Sequence, residues 1–169
     1  MNKEKDMAPY FFHQGTNFFA YKYLGCNLKI KNGKYEYCFR TWAPNADKVA
    51  LVSDFTGWEN PVYFNKITNK GVWECKYIND KSLSGSAYKF LIERDGRKYY
   101  KGDPYARFSR GGADGASIIF DDRFSFSDSV WMKRRKKEFA SEYSHSLSKP
   151  INIYEIHFGS FMRREDNSY

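Results

Sequence analysis

The sequence predicts an all-β fold, an immunoglobulin-like β-sandwich, and three observations carry that prediction. Tyrosine and phenylalanine are abundant, at 14 and 15 residues, and fall in alternating runs that suit strands better than helices. Turn signals recur between those runs at short, regular spacing: Asn-Gly, Pro-Asn, Asn-Lys-Gly and Asp-Gly. At 169 residues the chain holds one full-sized core plus an appendage, and is too short for two complete domains.

Residues 1–31 read as a lead-in that packs against the domain, because their aromatics show no clean period before Tyr21. The sandwich is expected over 32–122. Asn32-Gly33 suits a tight turn, after which Tyr35, Tyr37 and Phe39 alternate with Glu36, Cys38 and Arg40 in a half-buried strand from Lys34 to Trp42. Pro44 breaks this pattern, since proline cannot donate to a central ladder. A strand from Lys48 to Ser53 follows, then a loop over 54–61 that displays Phe55 and Trp58. Asn69-Lys70-Gly71 turns the chain into a strand with Trp73, Cys75 and Tyr77 on one side. Ala87 to Arg94 alternates Tyr88, Phe90 and Ile92 with Lys89, Leu91 and Glu93, and Asp95-Gly96 pairs it with Arg97 to Lys101 as a hairpin. Gly111, Gly112 and Gly115 mark an irregular connection to a last strand, Ser117 to Phe120. Trp42 and Trp73 are assigned to the core.

Beyond Asp121 the character changes. Over 123–149 a helical linker is expected: Ser127 or Asp128 caps a helix running through Trp131, Met132 and a basic cluster to Phe139, and a polar stretch follows. Pro150 marks a boundary, and 150–169 opens a second domain. There Ile151 to Phe158 is apolar on both faces, as in a strand of a parallel sheet, and a parallel partner would need a crossover connection that the chain does not contain. A lone first strand of a truncated domain is the expectation.

The net charge of +8 is concentrated in Lys133, Arg134, Arg135, Lys136 and Lys137 on the expected helix, whereas the β region mixes both signs. No recognition fold or aromatic RNA-binding motif accompanies that charge, so nucleic acid is not an expected partner. No apolar run is long enough for a membrane span or signal sequence, so no membrane partner is expected either. Cys26, Cys38 and Cys75 are odd in number and lack metal or redox spacing, which implies a reduced, cytoplasmic protein with no metal or other cofactor.

Three stretches together resemble the N-terminal part of glycogen (alpha-1,4-glucan) branching enzymes of the alpha-amylase superfamily. They are Arg40-Thr41-Trp42-Ala43-Pro44-Asn45-Ala46 with Asp54-Phe55-Thr56-Gly57-Trp58, then Tyr88-Lys89-Phe90 with Lys101-Gly102-Asp103-Pro104-Tyr105-Ala106, and Ile153-Tyr154-Glu155-Ile156-His157-Phe158-Gly159-Ser160-Phe161. The first recurs across alpha-glucan enzymes; the order and spacing of all three are more specific, and Asp103-Pro104-Tyr105-Ala106 with Gly159-Ser160-Phe161 favours branching over a debranching enzyme or a trehalose-releasing hydrolase. The resemblance implies a carbohydrate-binding sandwich ahead of a (β/α)₈ barrel that begins at the Tyr154 segment. It also implies alpha-glucan and that barrel as partners. Family members cleave an alpha-1,4 chain and rejoin it through an alpha-1,6 linkage, using an aspartate nucleophile and a glutamate acid/base. Those carboxylates belong to later barrel strands, so no catalytic residue is assigned here and the chain by itself is expected to be inactive. The rival from another class is a stand-alone glycan-binding or regulatory module.

By the same resemblance, Trp58 and Lys89 are the candidate glucan contacts, since sugar C–H faces stack on aromatic rings and a nearby ammonium bonds hydroxyls. The second stacking tryptophan of the family pattern is replaced after Asp95-Gly96 by Arg97, Lys98, Tyr99 and Tyr100, so Tyr99 and Tyr100 become candidates in its stead. The family's loop asparagine falls near Ala116 and is missing. Asp54, Asp95 and Asp103 sit at expected turns, where side-chain to backbone hydrogen bonds account for them.

Overall fold

A computed structural model describes residues 7–121, 125–139, 152–161 and 165. The chain divides into two compact units, Met1–Asp122 and Arg123–Tyr169. The first is a sandwich of two antiparallel sheets. Its strands are β1 (Gly25–Lys31), β2 (Lys34–Trp42), β3 (Lys48–Ser53), β4 (Val62–Tyr63), β5 (Asn65–Lys66), β6 (Val72–Asn79), β7 (Ala87–Arg94), β8 (Arg97–Lys101), β9 (Phe108–Ser109) and β10 (Ser117–Ile118). One sheet has the order β1-β2-β6-β5; the other runs β4-β3-β7-β10-β9, with β8 paired to the second half of β7.

Four strands coincide with the sequence reading from end to end: β2, β3, β7 and β8. Asn32-Gly33 and Asp95-Gly96 both have φ > 0 at each residue, the conformation a two-residue hairpin needs to match strand twist. The structure starts the sandwich earlier than expected, because β1 lies within the stretch read as a lead-in and pairs with β2 along its whole length. Its sequence, GCNLKIK, alternates too weakly to be seen, and the pairing rests on the Asn32-Gly33 turn. Ahead of it, α1 (Ala8–Gln14) starts with proline near its N-terminus and stops at Gly15 in the left-handed conformation.

Alternation sends Tyr37 and Phe39 of β2, Trp73 and Cys75 of β6, Val49 and Leu51 of β3, and Tyr88 and Phe90 of β7 into one core between the sheets. Phe39 meets Tyr88 edge-on at 5.2 Å and Phe64 meets Phe90 at 5.7 Å, the geometry in which a ring's positive edge faces its neighbour's negative face. Trp73 is in this core as expected, and its indole N–H donates to the Ala43 carbonyl at 2.9 Å. Trp42 is not: its side chain leaves the core face of β2, stays 53% exposed, and donates to the Lys70 carbonyl at 2.9 Å. In a period of two, burying Thr41 turns its neighbour outward. The three cysteines are free thiols, and burial pushes Cys38 and Cys75 each up to about 11.

Asp103 is buried and fully engaged. The Tyr88 hydroxyl donates to its Oδ2 at 2.7 Å and the Tyr105 amide to its Oδ1 at 2.8 Å. Burial outweighs these bonds and raises its carboxyl above the ordinary value of 3.8. A raised folded-state pKa means the native protein binds this proton before the unfolded chain does. The stability gained on acidification is therefore complete below 3.8 and lost as pH rises through the folded pKa. In urea unfolding, the parent is expected to gain stability relative to Asp103→Asn between about pH 7 and about pH 4. A loss over that interval would show that the hydrogen bonds outweigh burial.

In the second unit, α2 (Ser129–Phe139) is the expected basic helix, with the Arg135 guanidinium 5.3 Å from the centre of the Trp131 ring one turn earlier. The described residues of the strand expected at Ile151 to Phe158 form no strand. Asn152–His157 has no regular structure, Glu155 and His157 are exposed, and a single helical turn, α3 (Phe158–Phe161), follows. A strand exists through hydrogen bonds to a neighbouring strand, and none of the described residues supplies one here. The expected polar linker at 141–149 and the Pro150 boundary lie outside the described residues.

Candidate functional site

The sheet containing β3 and β7 has a second face, turned away from the core. Register places Ala50, Leu91 and Tyr100 side by side across β3, β7 and β8 on that face, with Val52 beside Lys89 one step along. Ala50, Val52 and Leu91 form a small buried apolar patch, and Trp58 packs against it, half-buried. Tyr63 of β4 opposes Ala50 on the same face and donates to Glu93 Oε1 at 3.0 Å.

Trp58 is held by the turn that delivers it. Ser53 ends β3 and caps the one-turn 3₁₀ helix Asp54–Thr56: its hydroxyl accepts from the Thr56 amide at 3.2 Å, while its own amide donates to the Thr56 hydroxyl at 3.1 Å. Gly57 leaves this turn with φ of 72°, and Trp58 follows with φ of 59°, a left-handed conformation that side-chain-bearing residues seldom adopt. Two bonds hold it there: the Trp58 amide donates to the Ser53 carbonyl at 3.0 Å, and the indole N–H to Asp54 Oδ1 at 2.8 Å. The second oxygen of Asp54 accepts from the Ala87 amide at 2.7 Å, so one carboxylate ties the tryptophan ring to the start of β7.

Lys89 is also committed. Its side chain is only 17% exposed, and its ammonium donates to Asp114 Oδ1 at 2.9 Å. That bond is the main reason the Asp114 carboxyl sits below its ordinary value, and the charge of Arg110 adds to it. Arg110 donates to Asp114 Oδ2 at 3.4 Å and lies 4.0 Å from Asp54 Oδ2, which links the lysine to the tryptophan through alternating charges. The result is an apolar ring face beside paired charges and a phenol. Such a surface can stack a sugar ring and exchange hydrogen bonds with its hydroxyls.

Three of the four residues singled out from the sequence, Trp58, Lys89 and Tyr100, therefore share one sheet face. Tyr99 does not. It pairs with Ile92, and a period of two turns it to the opposite side of β8. The sequence reading missed Asp114 and Arg110 altogether, since the glycine-rich connection that carries them has no periodicity to place them. The sequence accounts for Asp54 as a turn residue, whereas its bond to the Ala87 amide reaches across 33 residues to the start of β7. Its grip on Trp58 was foreshadowed only by their spacing of four. Among the described residues no group of three His, Cys, Asp or Glu side chains could hold a metal ion.

Residues 23–106 match the family model of carbohydrate-binding module 48, the isoamylase N-terminal domain. The chain is 38% identical over 167 residues to the 1,4-alpha-glucan branching enzyme GlgB of Fusobacterium nucleatum subsp. nucleatum, covering 96% of this chain and 25% of that protein. It is 37% identical over 168 residues to the enzyme of the same name from Geobacillus stearothermophilus, covering 97% of this chain and 25% of that one. The chain thus spans about a quarter of the length of the curated relatives it matches. Among solved structures, a pullulanase type I from Bacillus subtilis str. 168 complexed with maltose superimposes with a TM-score of 0.49 at 20% identity, over 62% of this chain and 14% of that one. Residues 23–106 are thus similar to carbohydrate-binding module 48, and the chain as a whole is similar to the N-terminal quarter of 1,4-alpha-glucan branching enzymes.

Proposed function

We propose that this chain is the noncatalytic N-terminal module of a cytoplasmic alpha-1,4-glucan branching enzyme of glycogen biosynthesis. In that enzyme a catalytic barrel in the same polypeptide cuts an alpha-1,4 chain and rejoins it as an alpha-1,6 branch. The observation that carries the proposal is the similarity to branching enzymes over nearly the whole chain at only a quarter of their length. Within the module, the face bearing Trp58, Lys89 and Tyr100 is the proposed alpha-glucan contact, with the Trp58 ring as its apolar platform. The barrel is the proposed covalent partner, and the module's role is to hold glucan near it.

A titration with maltoheptaose tests this reading. The parent chain is expected to bind saturably, and Trp58→Ala to bind on the order of tenfold more weakly, a change worth about 1.4 kcal/mol. Equal and negligible binding by both would assign Trp58 the purely structural task of covering Ala50, Val52 and Leu91. Purified chain that lowered the iodine staining of amylose would contradict the noncatalytic assignment.

A further inference from the structure

The β7–β8 hairpin has a second hollow, on the side of the sheet opposite Trp58. It measures about 550 Å³ and is lined by Ile92, Arg94, Asp95, Arg97, Tyr99 and Lys101. Its composition follows from the register. Arg94 lies directly across from Arg97, Ile92 from Tyr99, and Phe90 from Lys101, so the alternation that buries Phe90 sends these side chains to one face. Like charges directly opposite each other in an antiparallel pair destabilise it, and Lys101 stands on the same face four residues beyond Arg97. Asp95 is the single acidic residue lining the hollow, and it is engaged by Arg94 Nε at 3.3 Å. Arg97 and Lys101 have no acidic partner among the described residues.

An anion held by the Arg97 guanidinium would offset the repulsion between the opposed arginines, and Lys101, about 13 Å further along the strand, adds to the positive field of the hollow. A guanidinium offers a planar fork that fits two phosphate oxygens, and an ammonium adds a point charge. Tyr99 stands between them, 40% exposed and paired with Ile92, and supplies an aromatic ring on which a sugar can stack. The volume falls within the range of small-molecule sites. We propose that this hollow binds a phosphate monoester of a sugar, either a free hexose phosphate or a phosphorylated glucosyl unit of a glucan chain. The sugar half of that ligand rests on the glucan reading above; the anionic half rests on the hairpin alone.

The test titrates the 169-residue chain with glucose 6-phosphate, a phosphorylated maltoheptaose, unphosphorylated glucose and inorganic phosphate, following backbone amide NMR signals. Glucose 6-phosphate is expected to shift Ile92, Tyr99 and Lys101 saturably and to bind at least tenfold more tightly than inorganic phosphate or glucose. Arg97→Ser with Lys101→Ser is expected to reduce that affinity at least tenfold while leaving maltoheptaose binding unchanged. Lys98→Ser removes a charge on the opposite face of the same strand and is expected to change nothing. All three side chains are exposed, so unchanged spectra away from β8 verify the fold of each variant. Tighter binding of the phosphorylated maltoheptaose identifies a glucan as the source; equal binding identifies the free sugar phosphate. The proposal is overturned if no probe shifts these signals, which would leave the cations as protection of an edge strand. It is likewise overturned if inorganic phosphate binds as well as the sugar phosphate, or if Lys98→Ser weakens binding as much as the double variant. Failure of maltoheptaose to bind would bear on Trp58 and leave this site standing.

Discussion

Gly71→Ala is expected to destabilise the sandwich by about 3–5 kcal/mol, combining strain at a disallowed backbone angle with forced displacement of packed atoms. Gly71 has φ of 87°, and a Cβ built on it would overlap Pro44 Cα and fall 2.8 Å from Pro44 N. Neither atom is the movable end of a side chain. The approach is close because two turns are clamped together there: the Ala43 amide donates to the Gly71 carbonyl at 2.8 Å, and Trp42 reaches the Lys70 carbonyl. An added methyl group must pry this clamp open or push Pro44 away from it. Chemical denaturation should show a lower midpoint with little change in slope. A variant within about 1 kcal/mol of the parent would mean that the Pro44 turn yields freely.

Phe90→Ala is expected to cost about 3–5 kcal/mol for a different reason, a cavity left at the centre of the core. Phe90 is 1% exposed and lies between Phe64, edge-on at 5.7 Å, and Tyr88 at 5.9 Å. Tyr88 is fixed by its bond to Asp103, so the gap cannot be closed by swinging that ring inward. Thermal melting is the simplest readout. Phe90→Leu, which keeps most of the volume, is expected to lose less than half as much. Equal losses for both would point to the aromatic contacts as the dominant part.

The strands that carry this core were legible in the sequence because burial on one face imposes a period of two. Tyr35 to Phe39 and Tyr88 to Ile92 show it plainly, and glycine-containing pairs close both hairpins. Elements that owe their existence to a partner were not legible. The short strands β4, β5 and β9 have two residues each, too few for any period, and are defined by the neighbours they bond. The apolar run Ile151 to Phe158 failed in the opposite sense, since its composition suits a strand and its described residues Asn152–His157 take no regular structure. Half of the candidate site followed the same logic. Lys89 and Trp58 could be marked because the residues around them form a recognisable pattern, whereas Asp114 and Arg110 join them only through folding of a glycine-rich loop. Tyr99 and Tyr100 are adjacent in sequence, and only the register of β8 separates their roles.

The bond from Asp54 to the Trp58 indole has a consequence for molecular recognition. Immobilising a free side chain on complex formation costs about 0.5–1.5 kcal/mol, a loss that usually falls on the binding step. Here the ring is oriented by a carboxylate that also secures the β7 backbone, so its ordering is completed when the domain folds. Whatever lies down on that ring meets a rigid plate, and its affinity depends on the fit of its own surface rather than on freezing the protein's.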